Sequence, residues 1–289
     1  MFNKINNKKN SIKKNNRRYS DVKKSKIKEI KCNNFETKLS NKNNNKLDLL
    51  GEGTYGIAFL GCLDQLCNES IGVKFLVLKK KYELNKSHPG FVEVIIGMRL
   101  SDLYYQNITP HINLVYRGFT CKINNIKNSK TIFESEWYKQ KEKNSTFTEE
   151  CYEDVMIIFN EKADMDFKQY VTNRFNSTNR LTDHEHLICL FQFCYTISCA
   201  QYHIPGFRHN DIKPNNLLVS LNKNISHNTY DIYKIFGRTF YVPVKEFTIK
   251  LHDFDFCNSD QYPNQKIHNY ENTVFSNIGT TPFNNPVYD

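Results

Sequence analysis

Nowhere in the 289 residues is there an apolar run of the length a bilayer demands, and the N-terminus has no apolar signal core. A helical membrane protein is therefore excluded, and no contact with membranes is expected. None of the nine cysteines forms a Cys-x-x-Cys pair, and the spacings of Cys62/Cys67 and Cys189/Cys194/Cys199 fit no metal finger. The expectation is reduced thiols in an intracellular, cytoplasmic protein. The Asn-x-Ser/Thr triplets at Asn68, Asn107, Asn144 and Asn176 then reflect an asparagine-rich composition rather than glycan sites. Acidic residues are scarce at one end only. Residues 1–46 hold 15 Lys/Arg against 3 Asp/Glu, a net +12, which leaves −2 of the total +10 for residues 47–289. With few apolar residues and no periodicity, residues 1–46 are expected to be a disordered basic tail, because they cannot bury enough surface to offset ordering entropy. The functional reading of that tail is a weak contact with nucleic acid or an acidic surface; the simpler reading is a solvated extension.

What is present begins at Leu49. Three of only 11 glycines cluster in Gly51-Glu52-Gly53-Thr54-Tyr55-Gly56, a G-x-G-x-x-G pattern. A dinucleotide fold would follow it with a helix, and a phosphate loop of the Walker type would end in Gly-Lys-Ser/Thr. Here Ile57-Ala58-Phe59-Leu60 reads as a strand instead. The glycines therefore sit in a hairpin, either an ordinary turn or one whose backbone can close over phosphates because no Cβ intervenes. Lys74 lies within the apolar strand Ile71–Leu78 and wants a partner. Glu93, on the inner face of the helix expected after Pro89, is the candidate, with Glu83 as a rival and a solvated helix glutamate as the bland alternative. Residues 122–150 are polar and read as an inserted loop, with Trp137 as a local packing anchor. Val155–Phe159 is a buried strand.

Thr182-Asp183-His184-Glu185 is a capping box that opens a long helix, with Leu187, Leu190, Phe191, Cys194 and Ile197 as its apolar stripe. Its three cysteines are read as core packing. Ile232–Phe236 and Thr239–Val242 flank Gly237-Arg238 and predict an additional β-ribbon. Between them and the helix, Phe207-Arg208-His209-Asn210-Asp211-Ile212-Lys213-Pro214-Asn215-Asn216 puts a carboxylate, a cation and a carboxamide into one loop before the strand Leu217-Leu218-Val219. Phosphoryl transfer needs those groups close together. Ile249–Leu251 is a further strand, and Asp253 follows it.

Asp211, Lys213 and Asn216 closely resemble the catalytic loop of eukaryotic-type protein kinases. Gly51/Gly53/Gly56, Lys74, Glu93, the His111-Ile112-Asn113-Leu114-Val115 stretch, Asp253-Phe254 and Ile278-Gly279-Thr280-Thr281-Pro282 resemble the family's other motifs in order. The resemblance implies an α+β, bilobal fold with a small β-rich N-lobe, about 47–160, and a larger, mostly helical C-lobe, about 161–289. It implies ATP and Mg²⁺ as cofactors and phosphorylation of protein Ser/Thr hydroxyls. Asp211 would orient the hydroxyl, Lys213 and Lys74 would balance phosphate charge, and Glu93 would position Lys74. Asn216 and Asp253 would hold the metal. Gly51, Glu52, Gly53, Thr54, Tyr55, Gly56 and Ala58 would cover the nucleotide, and the backbone from Phe159 to Lys162 would hold adenine. Thr280 or Thr281 would contact Asp211 and Lys213.

Several positions depart from the family. Asn210 replaces Arg, which argues against activation by loop phosphorylation; Asp255 replaces Gly, which is expected to hold the motif in one conformation. Val287 replaces Glu, and the C-lobe reads as truncated at Asp289. The departures look most like those of divergent kinases of giant DNA viruses, which would place the protein in a host cell or virion. The segment between Phe256 and Gly279 reads as a flexible loop. The alternative functions are a pseudokinase or nucleotide-binding scaffold without turnover, and a small-molecule kinase of the aminoglycoside-phosphotransferase type. The glycine hairpin and the Lys213-Pro214 pair argue against the last of these.

Overall fold

The structure, a computed structural model, describes residues 23, 25–39, 47–53, 56–126, 129–143, 149–177, 180–222 and 229–270. It divides into two units. One comprises the described residues up to Lys79 together with Tyr116–Glu161; the other comprises Lys80–Val115 and the described residues from Lys162 onward. The elements are mixed α and β, built on antiparallel strand pairs.

The first unit is organised on a five-stranded sheet: β1 (Asp48–Glu52), β2 (Gly56–Cys62), β3 (Ser70–Lys79), β4 (Val115–Lys122) and β5 (Cys151–Glu161), in the order β1-β2-β3-β5-β4. Period-two alternation sets its faces. Ile57, Phe75 and Ile157 align across β2, β3 and β5, as do Phe59, Val73 and Phe159, and all six are buried. Ala58, Lys74 and Ile158 align on the opposite face.

Expectation and structure part company at the basic N-terminus. Residues 25–28 are helical, and α1 (Phe35–Leu39) follows them. Ile27, Ile30, Phe35 and Leu39 are buried. The Arg117 guanidinium donates to the carbonyls of Ile27, Lys28 and Ile30 at the end of these first helical turns, where carbonyls run short of intrahelical donors. A few apolar anchors spaced among the lysines suffice to seat this stretch. Residues 1–22, 24 and 40–46 lie outside the described residues.

The reduced-thiol expectation is also corrected. Cys32 is bonded to Cys121 and Cys62 to Cys67, while five cysteines are free. The second bridge closes the β2–β3 turn, where the Asp64 carboxylate gathers the N–H groups of Leu66, Asn68 and Glu69. The polar insertion after β4 is likewise more ordered than a loop, with short helices α2 (Lys130–Phe133) and α3 (Glu136–Lys143). Trp137 on α3 is buried and meets the Phe75 ring edge-on at 6.2 Å between centroids.

In the second unit, α4 (Pro89–Tyr105) begins with Pro at its first position, and the His88 ring caps the Gly90 N–H. Strands β6 (Met165–Asp166), β7 (Leu217–Leu221) and β10 (Phe247–Leu251) form an antiparallel sheet in the order β10-β7-β6. Two helices, α5 (Phe167–Asn176) and α6 (Asp183–His203), lie between β6 and β7 in the chain. The expected ribbon is present as β8 (Tyr230–Ile235) and β9 (Arg238–Pro243). Its two-residue turn falls at Phe236-Gly237, both at positive φ (49° and 73°), as a hairpin matched to strand twist requires. The short helix α7 (Gln265–Tyr270) comes last.

The capping box of α6 forms as read, with Thr182 and Glu185 satisfying each other's backbone N–H. Its apolar stripe holds in part, since Ile197 is buried and Phe191 packs against the core. Leu187 and Leu190 are 64% and 56% exposed, and Cys194 is exposed, whereas Ile188, Cys189, Tyr195 and Cys199 enter the core with Tyr170, Val219, Tyr233 and Ile249. Among the described residues no helix is long and apolar enough to cross a membrane.

Candidate active site

Antiparallel pairing of β7 with β10 places Leu217 opposite Leu251, so the residue before Leu217 and the residues after Leu251 leave the sheet at the same end. The His252 N–H donates to the Asn216 carbonyl at 3.0 Å, which joins the two exits. Asp253 is the next residue.

A turn at Pro214–Asn216 folds the preceding loop back on itself, with the Asn216 N–H bonded to the Lys213 carbonyl. Three side chains then meet. The Lys213 ammonium lies 2.6 Å from Asp211 Oδ2, and Asn216 Nδ2 donates to the same oxygen and to the Asp211 carbonyl, both at 2.8 Å. Asn216 is 5% exposed, so its conformation is fixed by these bonds. Because its nitrogen is committed to Asp211, its oxygen faces the other way. Asp211 and Lys213 keep solvent contact, with side chains 24% and 50% exposed.

The loop is braced from behind. His209 is fully buried, its Nε2 lies 3.0 Å from the His252 carbonyl, and its ring meets Phe254 edge-on. Asn210, at φ 61°, donates to the Phe256 carbonyl and to Asn258 Oδ1 at 3.0 and 2.8 Å. Arg208 and Asn258 exchange both backbone bonds. The Asn210 carboxamide therefore holds neutral oxygens of the following segment.

Asp253 is itself left-handed, at φ 64°, a region that Asp tolerates better than most residues and that recurs at functional positions. Phe254 is 1% exposed and packs so closely on α4 that a Cβ on Gly97 would lie 3.0 Å from its ring. Asp255 is ion-paired at 2.5 Å with Lys266, whose ammonium also lies 3.3 Å from the centre of the Phe256 ring. Asn264, fully buried, donates to the carbonyls of Asp255 and Cys257. Nothing in the sequence flags Lys266 or Asn264.

His111 supports β10. Its Nδ1 lies 2.8 Å from the Ile249 carbonyl and its Nε2 2.9 Å from the Tyr233 hydroxyl, on which the ring also stacks. Burial pushes its pKa down to about 3, with the nearby Lys250 charge acting in the same direction and the Ile249 bond opposing. The ring is thus neutral; a carbonyl only accepts, so Nδ1 carries the proton and Nε2 accepts from Tyr233.

In the first unit, the Gly53 N–H closes the β1–β2 turn onto the Gly56 carbonyl at 2.8 Å. Gly56 admits no side chain, since a Cβ would lie 2.4 Å from Leu76 Cδ2 and 2.7 Å from the Phe75 carbonyl. Gly51 and Glu52 are exposed on β1, and Lys74 faces the same way as Ala58. The Phe159 ring is core, against Phe119. Lys162 is exposed, and Glu93 is 2% exposed on α4. Thr54, Tyr55, Gly279, Thr280, Thr281 and Val287 lie outside the described residues. Among the described residues no cluster of three His, Cys, Asp or Glu side chains is arranged to hold a metal. The oxygens on offer are two carboxylates and one amide, a donor chemistry that suits a hard cation such as Mg²⁺.

No protein-family model matches the chain. It is similar to two proteins of Acanthamoeba polyphaga mimivirus. One, named "Putative serine/threonine-protein kinase R400", is 28% identical over 205 residues, which are 67% of this chain and 43% of that protein. The other, named "Putative serine/threonine-protein kinase R301", is 34% identical over 65 residues, 22% of this chain and 16% of that protein. The chain thus matches less than half the length of either relative.

Proposed function

We propose that this chain is a kinase-like phosphotransferase of bilobal α+β build, moving the γ-phosphoryl group of Mg·ATP to serine or threonine hydroxyls of proteins. The observation that carries the reading is the contact of Asp211 with both Lys213 and Asn216, beside the strand end that leads to Asp253. In this reading Asp211 accepts the hydrogen of the substrate hydroxyl and aims its lone pair. Lys213, already on that carboxylate, offsets the charge that develops on the moving phosphoryl group. The Asn216 oxygen and the Asp253 carboxylate would hold Mg²⁺, which when bound neutralises the β- and γ-phosphates. The glycine hairpin covers the phosphates, Lys74 with Glu93 as its partner orients them, and the backbone from Phe159 to Lys162 receives adenine. The names of the relatives support the Ser/Thr class. Because Asn210 already holds the downstream segment through neutral groups, turnover is expected without loop phosphorylation.

Transfer of labelled γ-phosphate to myelin basic protein, by enzyme pretreated with phosphatase, tests the assignment. Asp211→Asn is expected to lower kcat by about 10²- to 10⁴-fold while nucleotide still binds. An Asp211→Asn variant as active as the parent would overturn it.

A further inference from the structure

The insertion between β4 and β5 grips the glycine hairpin at both of its ends. At the base, the Leu47 N–H, just before β1, donates to the Thr131 hydroxyl of α2 at 2.9 Å. At the tip, the Trp137 indole N–H of α3 donates to the Gly53 carbonyl at 2.8 Å. The insertion is anchored in turn. Ser129 caps α2, and Glu36 accepts from both the backbone N–H and the hydroxyl of Thr131. The Phe133 and Tyr138 rings pack at 4.4 Å between centroids, and Trp137 rests on Phe75 of β3.

These bonds matter because little else holds the first arm of the hairpin. All five residues of β1 are exposed, so β1 contributes no buried side chain, and its order rests on main-chain bonds to β2 and on the two contacts from the insertion. An indole N–H has no acceptor function and must find a partner when buried. The Gly53 carbonyl supplies it, while the Gly53 N–H is spent on Gly56. Both polar backbone groups of Gly53 are therefore held, the carbonyl by the insertion and the N–H by Gly56, which fixes this residue within the hairpin turn.

We propose that Trp137 is a positioning residue for nucleotide phosphates: its indole fixes the Gly53 carbonyl of the glycine hairpin, so that phosphate binding at the hairpin and the environment of this indole are coupled. The proposal rests on the kinase-like reading above. It does not make Trp137 a catalytic residue, since it would act through the Gly53 backbone.

Trp137 is the only tryptophan in the chain, so the tryptophan emission of the unmodified protein comes from this indole alone. Titration with Mg·AMP-PNP is expected to give a saturable change in tryptophan emission, with a midpoint equal to the Kd from calorimetry, whereas adenosine, which lacks phosphates, gives little. Trp137→Phe keeps a ring on Phe75 but removes the donor. Its Kd for Mg·AMP-PNP is expected to rise about three- to tenfold, the worth of one hydrogen bond, with kcat changed less than KM. Calorimetric binding with silent tryptophan emission would overturn the proposal and leave the kinase-like reading standing. So would a folded Trp137→Phe variant of unchanged Kd. Absence of nucleotide binding by the parent chain in calorimetry would sink both.

Discussion

A neutral imidazole at position 111 joins three segments: the loop after α4, the ribbon through Tyr233, and β10 through Ile249. Its folded pKa of about 3 lies below the unfolded value near 6.5. Between those values the unfolded chain binds one proton more than the folded chain. Stability from this group is therefore present above pH 6.5 and is lost as pH falls from there toward 3, at ~1.4 kcal/mol per pH unit. In urea unfolding this group should contribute about half that slope between pH 7 and 6 and nearly all of it between pH 6 and 5. His111→Gln, which can still donate to Ile249 but cannot titrate, should be flatter by that amount; equal slopes in the two proteins would refute the assignment. At this same scale the cluster of Asp211, Lys213 and Asn216 was legible in the sequence because its members are neighbours in one loop. The Asp255–Lys266 pair was not, since its members are joined through irregular backbone with no period to relate them.

Helix α6 shows what a periodic pattern can and cannot specify. Thr182 and Glu185 announce its start through a local exchange of hydrogen bonds that needs no tertiary information. Its rotation about its own axis is a different matter. Apolar residues occur on more than one side, and Leu187 and Leu190 outrank Cys189 and Tyr195 in hydrophobicity, so pattern alone keeps Phe191 and Ile197 but adds two exposed leucines to them. The choice is made by β7, β10 and the ribbon, which offer Val219, Ile249 and Tyr233 to the opposite side. Truncating the face that is buried should therefore cost far more. Ile188→Ala is expected to destabilise by about 2–4 kcal/mol and Leu187→Ala by less than about 0.5 kcal/mol in denaturant unfolding. The reverse order would mean that the sequence stripe, not the packing described, faces the core. The ribbon was legible because Gly237 sits between two short β-rich runs, and a turn of positive φ is a local demand as well.

Across the whole molecule, composition misled where a few residues outweigh an average. The first 46 residues are strongly basic, yet Ile27, Ile30, Phe35 and Leu39 reach the core of the first unit. A mean over the segment hides four anchors and one cysteine. Cys32 bonds to Cys121 across 89 residues of sequence, a pairing that no spacing rule could suggest because its partner is set by where β4 ends. A cross-link over so long a loop removes substantial freedom from the unfolded chain and is expected to contribute about 2–4 kcal/mol. Two measurements on protein purified without reductant follow from this connectivity. Thiol titration in denaturant should count five groups, namely Cys151, Cys189, Cys194, Cys199 and Cys257, rising to nine after reduction. Cys32→Ser with Cys121→Ser should lower unfolding stability by the stated amount under oxidising conditions and leave no further loss on reduction of that bridge. Nine reactive thiols before any reductant is added would show that the N-terminal segment is held by Ile27, Ile30, Phe35, Leu39 and Arg117 alone, and that the expectation of free thiols drawn from spacing was right after all.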